Sequence, residues 1–572
     1  MSQAPARRRV ALVAALVGAL TTLLLVRGHQ GVGYVRDEGI YFVASRSYGA
    51  WAARLVKEPG VAMTARERDR AFAVNHEHPA LMKLAAGVSA RLLAEPSATP
   101  PPGEALREPP ADGVVHLLPE GAAMRLPAQV LAGLGAALLV VAGASLGGSL
   151  LAGLLAAGWF VLLPRVWFNA GLHCFDVPVA VAALAVALAY RAALVDRRWA
   201  LALGPILGVA IAIKHNALFL PLLFGLHYAV CLLRAPGGAR RQLRLWLPLG
   251  VVSVAVVAPL VAVALWPWLW SSPLARLQEY FAFHRLHAYY NTEFLGTNYN
   301  QPPLPESYPL VLTWATVPSV LLALALIGLG VALWRDLTLR TASASTAADD
   351  AAAPRRWSAP LRPEERHDGL LLALLAAFPL ALIAAPSVPI FGGTKHWLTA
   401  YPFLALAAAI AWGALWRRAA LPRRWRHAPA IALLLVLVPS AWSTIHSHPY
   451  GLSQYAPLAG GARGAAERGL MRGFWGHAVA PLRTTLGELD RPRLRLYLHD
   501  LHQLSREQYL REGRWPAGVE AASPRQADAG LLFYERHMLT YELELWNDLG
   551  TAAPRAIVEL DDVPLTSLYV GD

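Results

Sequence analysis

The sequence predicts a polytopic α-helical membrane protein of about eleven spans, with a small α/β domain at its C-terminal end. Three observations predict it. Apolar runs near 20 residues, the length that crosses a bilayer, recur from residue 10 to residue 442. Arg clusters (Arg7-Arg8-Arg9, Arg197-Arg198, Arg240-Arg241, Arg417-Arg418, Arg423-Arg424) all fall on one side when those runs are threaded alternately, which places that side in the cytoplasm. Beyond Trp442 the texture changes to short β-rich runs and polar helical stretches.

The apolar runs lie at 10–26, 124–144, 150–163, 177–194, 200–213, 217–233, 247–268, 310–333, 370–385, 398–416 and 428–442. The first has an Arg-rich start like a secretory signal. No small-residue cleavage site follows it, so it reads as an uncleaved anchor. An odd number of spans puts the C-terminus on the outer face. Residues 1–442 then form the transmembrane domain, with outer loops at 27–122 and 271–309, and residues 443–572 a soluble extracytoplasmic domain.

In the first outer loop, Tyr41, Ala44, Tyr48, Trp51 and Leu55 recur at helical spacing, an amphipathic helix suited to the headgroup layer. The Pro-rich stretch 95–110 reads as irregular. The inner connection 341–368 is Ala/Ser-rich, charged and flexible in character, and 417–426 is strongly basic. The loop 271–309 is aromatic and polar, with His284, His287, Tyr289, Tyr290 and Glu293. In the C-terminal part, 494–498, 530–534 and 556–560 read as strands and 535–549 as a helix. The net charge of +13 resides at the ends of apolar runs, so it signals membrane topology and no nucleic-acid partner. Cys174 falls in an outer loop and Cys231 near an inner span end, too far apart to pair.

The outer face collects the chemistry-bearing residues. All four Lys of the chain, Lys57, Lys83, Lys214 and Lys395, fall there, among 51 basic residues that are otherwise Arg. A compact ammonium suits a phosphate oxygen. Lys214-His215-Asn216 interrupts two short spans, where polar residues are costly unless they line a wet cavity. Gly392-Gly393-Thr394-Lys395-His396-Trp397 joins a turn rich in backbone N–H groups to a cation, a pattern suited to phosphate and equally to an interfacial Lys beside a belt Trp. Asp37-Glu38, just beyond the first span, offers a carboxylate near a rigid element, as a general base requires, or a plain solvated charge. His76-Glu77-His78 offers metal-ligand types, with a divalent ion as candidate cofactor, or a hydrogen-bonding role. Pro79 opens a helix that carries Lys83. His173 and Asp176 lie at an outer span start, where Asp176 reads as an N-cap. An anion site beside a free carboxylate suits transfer of a group from a phosphate leaving group to a hydroxyl. The competing readings are an enzyme that releases a lipid-linked group to water or to another lipid, a secondary transporter and a membrane-anchored binding module. No repeated halves and no midplane charges favour the transporter.

At these residues the chain resembles the C-type-fold (GT-C) membrane glycosyltransferases, most of all bacterial relatives of protein O-mannosyltransferases and of the aminoarabinose transferase that modifies lipid A. The segments concerned are Asp37-Glu38, Glu77-His78-Pro79 with Lys83, Phe175-Asp176-Val177-Pro178, Ile213-Lys214-His215-Asn216, Lys395-His396-Trp397, Tyr401-Pro402-Phe403, His448-Pro449-Tyr450, Gly460-Gly461 and Phe474-Trp475-Gly476. The resemblance implies a bacterial inner-membrane enzyme with its site on the periplasmic face. It implies a polyprenyl-phosphate-linked sugar as donor, a hydroxyl on a protein, lipid or glycan as acceptor, and transfer with inversion. Asp37 falls where the family has its catalytic acid. Glu38 and Glu77 would shape the acceptor or ion site, and Lys214, His215, Lys395 and His396 would hold the donor phosphate. This chain has Pro79-Ala80 where some relatives have two prolines.

Overall fold

The computed structural model describes residues 4–99, 112–235, 237–286, 291–338, 361, 363–388, 392–419, 422–489 and 491–571. Most of the connection 341–368 and of the stretch 95–110, with His287, Tyr289 and Tyr290, lies outside the described residues.

Among the described residues eight helices are long and apolar enough to cross a membrane: Arg7–Gly31, Glu120–Gly147, Asp176–Ala193, His215–Arg234, Trp246–Ala264, Ser319–Thr338, Gly393–Arg418 and Arg423–Ser447. Helices Leu150–Val161 and Pro164–Ala170 make a ninth segment bent by 74°. Arg198–Ile213 and Asp368–Ala384 are apolar but shorter. Every apolar run of the sequence is therefore helical, but only eight are full-length spans. Two runs expected to be continuous are broken. The run 150–163 stops at Leu162, before Pro164 starts the bent arm, and 310–333 is cut at Val317-Pro318 into Tyr308–Thr316 and Ser319–Thr338. Proline explains both breaks, because it cannot donate to the helix ladder and disfavours helical geometry in the residue before it. Leu12, Leu16 and Leu20 on the first span, and Leu434, Leu435 and Trp442 on the last, stay exposed. Apolar area of that extent is unstable in water and marks a lipid-facing surface.

Helix Arg36–Lys57 forms as the periodicity predicts, and along 38–51 both its faces pack largely against protein. Tyr41, Phe42, Ala44, Tyr48 and Trp51 are buried, and so are Glu38, Ser45 and Arg46 on its polar side. The helix is enclosed by protein. Arg46 binds Gln508 at 2.8 Å and Glu120 at 3.4 Å. Ser505 Oγ donates to the Val35 carbonyl at 3.0 Å. Gly39 permits this approach: a Cβ there would stand 2.6 Å from the Ser505 nitrogen.

A two-stranded hairpin, β1 (Thr292–Phe294) and β2 (Thr297–Tyr299), lies in the second outer loop. The C-terminal part forms a five-stranded sheet from β3 (Leu494–Leu498), β4 (Val519–Ala522), β5 (Ala529–Phe533), β6 (Ala556–Leu560) and β7 (Val563–Val570). Its order is β4-β3-β5-β7-β6. Strands β4, β3 and β5 are parallel, and β7 and β6 antiparallel. Central β5 (Ala-Gly-Leu-Leu-Phe) is buried along its whole length, the continuous apolar run expected of a strand covered on both faces. The sequence identified β3, β5, β6 and the helix Leu539–Leu549; β4 and β7 went unread, β4 being short and Ala-rich. Helix Gln503–Arg511, which crosses from β3 to β4, packs on helix Arg36–Lys57 and joins the two parts. Tyr34 strengthens the join, its hydroxyl donating to Glu512 at 2.6 Å and its backbone N–H binding the Tyr509 hydroxyl at 2.8 Å.

Candidate active site

Helix Arg36–Lys57 presents Asp37 and Glu38 in its first turn, one residue and so about 100° apart around the axis. That angle separates their fates. Glu38 is completely buried. Arg125, from helix Glu120–Gly147, binds it with two parallel bonds, Nε to Oε1 at 2.7 Å and Nη2 to Oε2 at 2.6 Å. The N–H of Val35 reaches Oε2 at 3.1 Å, and the N–H of His173 reaches Oε1 at 2.8 Å. Four donors fill the lone-pair directions of one carboxylate, leaving none for a substrate proton. The remaining Arg125 N–H groups bind the carbonyls of His29, Val32 and Gly33 at 3.0–3.1 Å. Arg125 thus fixes residues 29–38 as one unit. In the sequence Arg125 is one Arg among many, with no local pattern that marks this role.

Asp37 faces the other way and keeps 27% of its side chain exposed. Its Oδ2 stands 3.3 Å from Lys395 Nζ. The Lys395 ammonium also lies 3.8 Å from the centroid of the Trp475 ring, a cation–π contact. Trp475 in turn accepts the Arg36 N–H at 2.9 Å, so the C-terminal segment holds the start of the Asp37 helix. A second ion pair lies alongside: Lys214 Nζ to Asp176 Oδ1 at 2.7 Å. Asp176 is the first residue of helix Asp176–Ala193, whose cap is Phe175, so the carboxylate serves Lys214 in place of the expected N-cap role. Lys395 and His396 both act electrostatically on Asp176. Tyr41, one helical turn beyond Asp37, packs on Phe175 at 4.5 Å. Burial, then Asp37, Cys174, Asp176 and Glu77, push its hydroxyl well above the usual tyrosine range. The structure therefore gathers Asp37, Tyr41, Glu77, Asp176, Lys214, Lys395 and His396 into one region from five separate stretches of chain.

The Asn75–His78 loop borders this region. Lys83 is buried beneath it and donates to Asn75 Oδ1 at 3.0 Å, to the His78 carbonyl at 2.9 Å and to the Asn75 carbonyl. Burial pulls Lys83 down to about 7, with Glu77 opposing. Lys83 organises the loop from below and does not face the site. Glu77 accepts from Asn75 Nδ2 at 2.7 Å. His76 turns outward, stacked on Trp268 at 4.6 Å and bonded to Glu279 at 3.1 Å. His78 packs against Tyr41 and Phe175 and near His284, and burial, then Lys83 and Lys214, hold it well below the usual histidine range. His76, Glu77 and His78 thus diverge and do not form a metal site. Among the described residues no three His, Cys, Asp or Glu side chains converge as a metal ion needs. His173 bonds Ser45 at 2.8 Å, and burial, then Lys83 and Arg125, lower it to about 3. It is a packed neutral ring behind the site. His215 bonds the Tyr280 hydroxyl at 2.9 Å and stands 4.3 Å from the His284 ring.

Two apolar clefts run from this region into the membrane part. The first, a narrow cleft, has Asn216 and His396 at its polar end and Val179, Leu223, Phe378 and Leu375 along its walls. The second, equally narrow, lies between helices Asp176–Ala193, Asp368–Ala384 and Tyr401–Arg418. They share Leu375 and Phe403, and the second ends at the Arg191–Asp368 pair, 2.8 Å apart. The polar end of the first, Asn216 and His396, follows Lys214-His215 and Lys395 directly in the chain.

The C-terminal sheet adds a feature with no local signal in the sequence. Asp500 follows β3 and Glu535 follows β5, neighbouring parallel strands, so both lie at the carboxyl edge of the sheet. Arg36, the residue before Asp37, binds Asp500 at 3.1 Å. Asp500 Oδ2 and Glu535 Oε1 are buried without a donor. Burial and Asp500 raise Glu535 well above the usual carboxyl range; burial also raises Asp500, against the pull of Arg36.

No family model matches the sequence, and no curated protein does. The chain is similar to ArnT from Cupriavidus metallidurans. The crystal structure bound to undecaprenyl phosphate matches at TM-score 0.47 and 16% identity, covering 97% of this chain and 97% of that one. The apo form matches at TM-score 0.44 and 15% identity, with the same coverage.

Proposed function

We propose that this protein is a glycosyltransferase of the outer face of a bacterial inner membrane, which moves a sugar from a polyprenyl-phosphate donor to a hydroxyl acceptor with inversion. The observation that carries the reading is the meeting of a reachable carboxylate, Asp37, with Lys395 and the Lys214–Asp176 pair, next in the chain to the polar end of an apolar cleft. A lipid-linked phosphate needs this combination: a groove for the chain, cations for the phosphate and a base on the far side of the sugar.

Asp37 takes the proton of the acceptor hydroxyl as its oxygen attacks the anomeric carbon. The bond from that carbon to the phosphate oxygen breaks, and its electron pair stays on the phosphate, leaving polyprenyl phosphate. Attack opposite the leaving group inverts the configuration. Lys214, His215, Lys395 and His396 stand on the phosphate side. Glu77 borders the acceptor side. Glu38, held by Arg125, keeps the Asp37 turn in place.

The clefts are tested by photo-crosslinking. With a photoreactive amino acid at Leu375 or Phe403, a radiolabelled polyprenyl phosphate is expected to be captured and competed away by unlabelled lipid. The control position is lipid-facing Leu435. Equal, non-competed capture at all three positions would remove the clefts as the lipid site.

A further inference from the structure

Arg165 is a buried cation with no acid beside it. It is the second residue of helix Pro164–Ala170, the far arm of the bent pair, and only 5% exposed. Its Nε and Nη2 have no hydrogen-bond partner. Its guanidinium lies 4.7 Å from the Tyr455 ring centroid, and among the described residues it forms no ion pair. The neighbouring cations differ: Lys395 has Asp37, Lys214 has Asp176, Arg125 has Glu38 and Arg36 has Asp500. Arg165 is thus a buried positive charge without a carboxylate partner among the described residues. A buried charge is stable only when it is paired and hydrogen-bonded.

The guanidinium points at the Gly392-Gly393-Thr394-Lys395 turn. A Cβ on Gly393 would stand 3.5 Å from Arg165 Nη1. A Cβ on Gly392 would collide with the Lys395 side chain. Both glycines are left-handed, with φ of +86° and +61°, which other residues adopt at a cost. The turn leads into two short 3-10 turns that meet at a kink at Trp397. Thr394 Oγ1 is buried and has no partner. Arg165 on one side and Lys395 on the other bracket a turn built to receive an anion.

We infer that the Gly392–Lys395 turn and Arg165 together bind a phosphate group, and that Arg165 is the residue matched to the charge the phosphate gains. This rests on the donor reading above. In a sugar-phosphate diester the phosphate carries one negative charge. After transfer the monoester carries nearly two. A guanidinium without a carboxylate of its own stabilises that second charge as it develops, and such differential binding lowers the barrier. Asp37, on the other side of Lys395, is left to the acceptor.

The test compares Arg165→Gln and Arg165→Lys in the purified full-length protein, by equilibrium binding of polyprenyl phosphate, uncharged polyprenol and inorganic phosphate. Arg165→Gln should raise the Kd for polyprenyl phosphate at least tenfold and leave polyprenol unchanged. Arg165→Lys, which keeps the charge, should recover most of the loss. Unchanged polyprenyl-phosphate binding in Arg165→Gln overturns the assignment and leaves the donor reading intact. Wild-type protein that ignores polyprenyl phosphate but binds inorganic phosphate in an Arg165-dependent way keeps the anion site and overturns the lipid donor. Should Arg165→Gln not fold, Thr394→Val serves in its place: a Kd raised severalfold for phosphate ligands alone supports the site, and an unchanged Kd overturns it.

Discussion

Replacing Asp37 by asparagine is expected to slow sugar transfer by about 10²–10⁴-fold, the usual worth of a general base, while donor binding persists. The change is nearly isosteric. Asp37 is partly exposed and pairs with Lys395. Lys395 keeps the Trp475 ring after the change. Lys395 is only 6% exposed, so losing its charged partner lowers stability, and thermal unfolding of the variant in detergent separates that loss from the loss of transfer. In steady-state kinetics kcat should fall with little change in the KM for donor, the signature of an interaction made in the transition state. Unchanged transfer would take Asp37 out of the chemistry and move attention to Glu77.

The largest expected effect on stability lies one residue further on. Arg125→Ala should destabilise the protein by about 3–5 kcal/mol, the cost of stranding one partner of a buried ion pair. It leaves Glu38 charged at zero exposure and strips donors from the carbonyls of His29, Val32 and Gly33. Arg125→Lys should rescue little, because three donors on a flexible stem cannot replace five in a rigid fork. Removing both charges, as Arg125→Met with Glu38→Leu, should recover only part, since the N–H groups of Val35 and His173 lose their acceptor at about 1–3 kcal/mol each. Thermal unfolding in detergent reads all three. A wild-type melting temperature for Arg125→Ala would show that this node does not anchor the Asp37 turn.

The contrast between these neighbours shows what a sequence carries and what it hides. Hydropathy located every membrane helix, because a bilayer demands apolar length regardless of tertiary contacts. Prolines at 164 and 318 carried the signal for the two breaks, but an apolar run overshadowed them. The periodicity of Tyr41, Tyr48 and Trp51 is the same for a helix on a membrane and for one enclosed by protein. What decides is that Arg46 finds Gln508, 462 positions away, and no local pattern contains that. Lys214 and Lys395 were legible as costly polar residues at span ends. Their pairing with Asp176 and Asp37 was not, because the second pair joins residues 358 positions apart. The scarcity of Lys also drew attention from Arg125 and Arg165, whose buried positions are invisible in a chain where Arg is the common basic residue. His76-Glu77-His78 misled for the opposite reason: adjacency in sequence brings ligand types together, but successive side chains point apart.

The most direct measurement of the central claim is turnover of a defined donor. Purified protein is incubated with a panel of radiolabelled polyprenyl-phosphate sugars and a hydroxyl-bearing membrane extract, and the lipid products are resolved. The account predicts that at least one donor loses its sugar to an acceptor, with polyprenyl phosphate appearing in equal amount and the new linkage inverted, and that the Asp37→Asn protein releases at least about 100-fold less. Sugar appearing on acceptor without release of polyprenyl phosphate, or release at the same rate by the Asp37→Asn protein, would contradict it.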